Sequence, residues 1–132
     1  MATIDLKYDD GLQYSVTDDE GSFEPMGEKT ITGDSSGEEV TWQISRFDSE
    51  IEELKKIVTK NKKSFSPSKG HWKDTWEAKP KKNKDGSISG TPVAPDATKE
   101  DPAIFAYDIV YVLKNSKGKE TTLDPNIQVP QP

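Results

Sequence analysis

The stretch that decides the fold of this sequence is Phe105-Ala-Tyr-Asp-Ile-Val-Tyr-Val-Leu113, followed by the turn Asn115-Ser-Lys-Gly118. Large apolar side chains occupy every second position of the stretch, and past Asp108 the positions between them are apolar as well. A strand that is apolar on both faces is typical of a place between two layers. The stretch therefore predicts a central β-strand, and the glycine turn predicts a hairpin.

The chain after this turn predicts the returning strand of the hairpin. Apolar residues continue to Val129, and 13 of the 27 residues in 103–129 are apolar. Pro125 lies within this strand and cannot donate a hydrogen bond to a ladder, so it predicts a bulge or a sheet edge.

Three segments nearer the N-terminus alternate apolar and polar residues, which is typical of half-buried strands: 3–8, 12–16 and 39–46. In the second segment, Val16 is predicted to share the inward face with the apolar residues before it. In the third segment, Trp42 is predicted to lie in the core.

Residues 49–58 combine helix and strand signals. Ser49 is a candidate N-cap, and glutamates follow it in the first turn. Ile51, Leu54 and Ile57 recur at helical spacing. The pattern favours one amphipathic helix of about three turns, and an extended segment is the rival interpretation.

The whole pattern predicts an all-β fold: a mainly antiparallel β-sandwich, with at most one short helix near 49–58. We expect a single domain over 1–132. Residues 59–101 contain only eight apolar residues in 43 and are rich in Lys, Pro and Gly, so they predict a long loop or excursion.

The C-terminal hairpin resembles the closing hairpin of small bacterial β-sandwich domains of cupredoxin-like or immunoglobulin-like topology. The residues that carry the resemblance are Phe105-Ala-Tyr-Asp-Ile-Val-Tyr-Val and Asp124-Pro-Asn-Ile-Gln-Val129, together with Val40-Thr-Trp-Gln-Ile44 and the stretch from Phe65 to Trp76. The resemblance implies a shape and not redox chemistry, because the two His and one Cys that bind copper in cupredoxins are missing.

Composition excludes several classes of function. The chain has no cysteine, and its one histidine is His71, so we expect no thiolate or multi-histidine metal site and no cofactor. No nucleophile and base can be assembled, so we expect no enzyme. No long apolar segment or signal peptide is visible, so we expect no membrane partner and a cytoplasmic location. Acidic turns leave a weak Ca²⁺ site as an open alternative.

Charge is segregated along the chain. Residues 1–54 carry a formal charge of -12, residues 55–84 carry +9 and residues 85–132 carry -3. Opposite charges separated in this way can attract within one fold or serve a partner.

The basic block contains the candidate binding residues of the sequence. Lysines interleaved with aromatic residues suit an anionic or glycan ligand, with the indole rings available for stacking. The alternative interpretation is a solvated lysine-rich edge that discourages strand pairing. The candidate residues are Lys62, Lys63, Lys69, Trp72, Lys73 and Trp76.

The sequence thus predicts a non-enzymatic binding or assembly protein that acts through protein–protein contacts, either as a homo-oligomer or with another protein. One alternative is a carbohydrate-binding module that uses Trp72 and Trp76. Another is a carboxylate-dependent hydrolase. The acidic composition argues against a nucleic-acid partner.

Overall fold

A computed structural model describes residues 2–33, 35–60 and 76–130. These residues form strands joined by turns, and their helical structure is one short 3-10 turn at Glu20–Ser22. No helix among them is long and apolar enough to cross a membrane. The strands are β1 (Ala2–Tyr8), β2 (Leu12–Ser15), β3 (Glu24–Pro25), β4 (Ile31–Gly33), β5 (Val40–Ile44), β6 (Ile51–Thr59), β7 (Trp76–Lys82), β8 (Ile88–Pro92), β9 (Ala103–Leu113), β10 (Glu120–Leu123) and β11 (Asn126–Val129).

The strands form two sheets, which confirms the predicted all-β, sandwich-like fold. The first sheet has the order β3-β2-β1-β5-β8-β7, and the second has the order β10-β9-β11-β4, with β6 paired to β9 outside that path. Most neighbouring strands are antiparallel, as predicted. Two pairs are parallel, β1 with β5 and β4 with β11, so both sheets are mixed.

Strand β9 is the central strand of the second sheet, as the sequence predicts. It pairs with β6, β10 and β11. Strand β9 pairs with β10 and with β11 in the same register. In this register Glu120 lies opposite Val112, and Asn126 lies opposite Ala106. Of the two alternatives predicted at Pro125, the bulge is absent, and the edge fits, since the proline lies between β10 and β11 and β10 ends its sheet. The Pro125 carbonyl accepts a hydrogen bond from the Tyr107 amide at 3.2 Å.

The core lies between the two sheets, where large rings from both sheets meet. Trp42 of β5 is fully buried, as predicted, and its ring centroid lies 5.2 Å from that of Tyr107 in β9. The Trp42 Nε1–H donates to the Tyr107 hydroxyl at 3.3 Å. Burial raises the pKa of Tyr107 well above its ordinary value, because desolvation penalises the phenolate. This contact joins the middle strands of the two sheets.

The helix favoured at 49–58 is wrong, because these residues form strand β6. Its register against β9 shifts twice, between Ile51 and Glu53 and between Leu54 and Lys56. Each irregularity adds one residue to β6, so the buried side chains fall three apart, at Ile51, Leu54 and Ile57. A strand with two bulges therefore reproduces the spacing of one helix face.

The predicted long loop at 59–101 is also wrong in its middle part. Residues 76–92 form a hairpin of β7 and β8, which pair from Trp76 opposite Pro92 to Lys82 opposite Ile88. The segment is poor in apolar residues because β7 lies at the end of its sheet and exposes most of its side chains. Residues 61–75 lie outside the described residues.

Candidate functional site

Most of the predicted binding residues cannot be placed. Lys62, Lys63, Lys69, Trp72 and Lys73 lie outside the residues that the structure describes. Trp76 is described, and it belongs to the core.

Trp76 is only 8% exposed, and its ring packs edge to face on Phe105 with the centroids 5.3 Å apart. Its indole is therefore not exposed to stack on a base or a sugar. The first residue of β7 points into the sandwich, so the structure gives no support to the binding role predicted for Trp76. Sequence reasoning missed its two buried neighbours on β8, which are Pro92, its partner in the pairing, and Gly90, which lies beneath its ring.

Strand β7 matches the alternative interpretation of the lysine-rich block. It lies at the end of the first sheet, carries Lys79, Lys81 and Lys82 around Pro80, and shifts register twice against β8. Lysines, a proline and bulges are the features that discourage another strand from adding to an edge. The edge itself is therefore ill suited to strand pairing, whereas its charges remain exposed.

The basic side of the molecule combines β7 with the neighbouring strand β6. The Lys82 ammonium donates to the Glu53 carboxylate, and Lys55 lies 3.9 Å from the same carboxylate. The Lys82 hydrogen bond is the main cause that lowers the pKa of Glu53. Residues 51–60 and 76–84 together hold seven lysines and three glutamates. Lys60 among them pairs with Asp108 and Asp124 of the second sheet, so the side formed by β6 and β7, here called the basic side, keeps a formal charge of +3.

The opposite side of the molecule is acidic. Residues 9–29, which include β2, β3 and their turns, hold seven acids and one lysine, a formal charge of -6. We call this region the acidic side. Five strand spacings separate β3 from β7 in the first sheet, a distance of about 24 Å. The strands β3 and β7 thus lie at opposite ends of the first sheet, whereas Asp18, after β2, lines a groove that Lys82 of β7 also lines.

A groove of about 460 Å³ opens beyond the C-terminal end of β5. The pairing of β5 with β8 reaches only to Trp42 opposite Ile88, so Ile44 is 36% exposed there instead of buried as its alternation predicts. The walls carry ions of both signs. Arg46 Nε lies 3.5 Å from Asp18 Oδ2. Lys82 forms an ion pair with Glu53, and both residues line the groove. The lining as a whole holds four carboxylates, those of Asp18, Glu52, Glu53 and Asp85, and two cations, so the groove keeps a formal charge of -2.

A second set of charges lies on the outer face of the second sheet. Lys60 Nζ is 2.9 Å from Asp108 Oδ1 and 3.4 Å from Asp124 Oδ2. The hydrogen bond to Asp108 is the main cause that raises the pKa of Lys60. The pairing of β9 brings the two carboxylates together. The positive charge of Lys60 offsets their negative charges, so the three groups together stabilise the sheet.

Asp5 is an acid buried in the middle of the first sheet, with 2% of its surface exposed. It lies between Ser15 of β2 and Gln43 of β5, and the Gln43 amide donates to its Oδ1 at 2.6 Å. Desolvation raises the pKa of Asp5, and the nearby Asp18 charge adds to the rise, while the Gln43 hydrogen bond opposes it. The charged carboxylate therefore costs stability at neutral pH.

We expect Asp5→Asn to raise the free energy of unfolding by about 1 kcal/mol at pH 7, because it removes a buried charge and keeps the acceptor for Gln43. Since the folded pKa of Asp5 is raised, the gain should be complete above that pKa and should vanish as the pH falls below the ordinary value of 3.8. Urea unfolding of both proteins at pH 7 and at a pH below 3.8 measures this gain in stability.

The matched control is Asp85→Asn. The Asp85 carboxylate accepts hydrogen bonds from the Ser87 amide and hydroxyl, and the hydroxyl contact is the main cause that lowers its pKa. This replacement should lower stability at pH 7. A loss of stability in Asp5→Asn at pH 7 would contradict the account of the buried carboxylate.

Among residues 2–33, 35–60 and 76–130, no three His, Cys, Asp or Glu side chains are grouped so that they could hold a metal ion. The most distinctive surface property in this part of the chain is the separation of the acidic side from the basic side. A scan against protein-family models found no match to this chain, and a search of curated proteins found none either.

Proposed function

We propose that this protein is a non-enzymatic binding or assembly protein that acts through protein–protein contacts between oppositely charged surfaces. The observation that carries the proposal is the separation of a -6 block, on β2, β3 and their turns at one end of the first sheet, from a +3 block on β7, at the other end, and on the adjacent strand β6. Such complementary fields steer two proteins together and fix their relative orientation.

Contact between the acidic side of one copy and the basic side of the next is the form of assembly that this charge pattern favours. The contact is heterologous, because the two surfaces differ, and it can continue from copy to copy. The lysines and proline of β7 disfavour strand pairing, so the contact is made by side chains. Attraction between exposed charges weakens as salt is added.

The proposal retains three expectations from the sequence. The first is the resemblance to small bacterial β-sandwich domains of cupredoxin-like or immunoglobulin-like topology. The others are the absence of catalysis and a cytoplasmic location. The carbohydrate-binding alternative loses one of its two indole rings, since Trp76 packs on Phe105.

The proposal is tested by reversing charges on the basic side. We expect Lys81→Glu/Lys84→Glu to weaken self-association at low salt by about tenfold, since each of the two exposed charge pairs contributes up to about 1 kcal/mol. Both side chains are exposed, one on β7 and one in the turn after it, so the fold should survive. Light scattering over a concentration series measures the association.

The control Lys114→Glu/Lys119→Glu makes the same change in net charge at the hairpin between β9 and β10, where both lysines are also exposed. We expect this control to associate as the unchanged protein does. Equal weakening by the two double variants would contradict the proposal, because it would assign the effect to net charge and not to the basic side.

A further inference from the structure

A cleft of about 310 Å³ lies on the acidic side, between β2 of the first sheet and β4 of the second. Its lining includes Tyr14, Val16, Ile31 and the carboxylate-bearing Glu24. The Tyr14 hydroxyl donates to Glu24 Oε2 at 3.4 Å, at the mouth of the cleft. The two sheets of the sandwich therefore leave a gap at this side that their own side chains do not fill.

Two of the four large apolar side chains that are exposed in the described part of the chain line this cleft. Val16 is 57% exposed and Ile31 is 44% exposed. Val16 is predicted to point inward, but β2 ends at Ser15, and the chain turns away. Exposed apolar groups gathered in one concave place are typical of a binding surface, whereas single ones are ordinary.

Three hydroxyls hydrogen-bond to one another in the wall of the cleft that carries Val16. Ser22 Oγ lies 2.7 Å from Ser15 Oγ and 2.8 Å from Thr17 Oγ1, and the last two lie 3.2 Å apart. These groups satisfy one another, so they do not compete for a ligand. A wall that is already ordered loses little conformational entropy on binding.

Strand β4 forms the other wall and ends the second sheet. Its sequence, Ile31-Thr-Gly33, contains no proline and no charged residue, in contrast to the edge strands β3, with Pro25, and β7, with Pro80. It therefore lacks the protection that those edges carry. An extended chain that pairs along β4 would place an apolar side chain beside Val16 and Ile31.

We propose that this cleft binds an extended segment of a partner protein, in which an apolar side chain is flanked by lysine or arginine. The apolar side chain enters between Val16 and Ile31, and the basic residues face the acidic side, whose formal charge of -6 complements them. The inference rests on the proposed function, because it specifies which partner chemistry the acidic side accepts.

The test uses a fluorescein-labelled octapeptide of alternating lysine and valine, titrated with the full chain and followed by fluorescence anisotropy. The matching peptide of alternating glutamate and valine is the charge control. We expect the lysine peptide to bind and the glutamate peptide not to bind. Ile31→Lys should weaken binding of the lysine peptide by at least about tenfold, because it removes apolar contact and adds a repelling charge.

Val58→Lys is the matched variant, since Val58 is 38% exposed on β6, at the basic side. It should change the affinity for the peptide by less than about twofold. No binding of the lysine peptide, or equal loss in both variants, would overturn the inference. If the peptide fails while the Lys81/Lys84 variant still weakens association, only the cleft is rejected. If the peptide binds as expected while that variant has no effect, only the head-to-tail contact is rejected.

Discussion

Replacing Trp42 with alanine is expected to lower the free energy of unfolding by about 4 kcal/mol, a typical cost of deleting a buried indole. The Trp42 side chain is fully buried and packs on Tyr107. The variant also leaves the Tyr107 hydroxyl without the donor that it meets at 3.3 Å. The loss is a large fraction of the total stability of a small domain, and urea unfolding followed by circular dichroism measures it.

The control for this prediction is Val16→Ala, which shortens an apolar side chain that is 57% exposed. Its cost should stay within about 0.5 kcal/mol. A loss of less than about 1 kcal/mol in Trp42→Ala would mean that the two sheets do not pack through this ring, and it would contradict the fold described above.

Gly90→Ala is expected to cost about 2 kcal/mol, because overpacking forces the neighbours of the new methyl group to move. A Cβ at Gly90 would lie 3.0 Å from Cζ3 of Trp76 and 3.1 Å from the Cα of Pro80. The backbone contact cannot be relieved by rotating a side chain, so the backbone of β7 at Pro80 must move by a few tenths of an ångström. The midpoint of urea unfolding reports the cost.

Gly27→Ala is the matched replacement, since a Cβ at Gly27 would meet no atom within 4 Å. We expect it to change stability by less than about 0.5 kcal/mol. Equal effects at the two glycines would show that the close approach of β7 to β8 does not determine the cost.

The parts of the fold that were predictable from the sequence are those fixed by local alternation. In strands β1, β5 and β9, large apolar residues occupy every second position without interruption. In the hairpin after β9, the glycine of the turn, Gly118, has a φ of +79°. In these segments the period of two and the turn chemistry agree, so one interpretation prevails.

Two parts failed for identifiable physical reasons. The bulges of β6 changed its period from two to three and imitated a helix. The β7–β8 hairpin was taken for a loop because an edge strand needs few apolar residues, and because glycine and proline form part of its buried face. The parallel pairs β1–β5 and β4–β11 join segments that are distant in sequence, so no local pattern encodes them.

The site was predictable only as a charge pattern. The acidic and basic blocks are visible in the sequence, but the placement of β3 and β7 at opposite ends of one sheet follows from the strand order. The cleft between Val16 and Ile31 could not be predicted, because β2 ends one residue earlier than its alternation suggests. The position of Trp76 could not be predicted, because an indole in a basic segment is equally consistent with a core position and with a binding role.

The central claim is that contacts between the acidic side and the basic side bring this protein together with a protein partner, including a second copy. Sedimentation velocity of the unchanged protein at about 0.01 M and about 0.5 M salt tests it directly, because the screening length falls from about 30 Å to only a few ångström over this range. We predict species larger than one chain at low salt, and a single chain at high salt. The same single-chain species at both salt concentrations would contradict the claim.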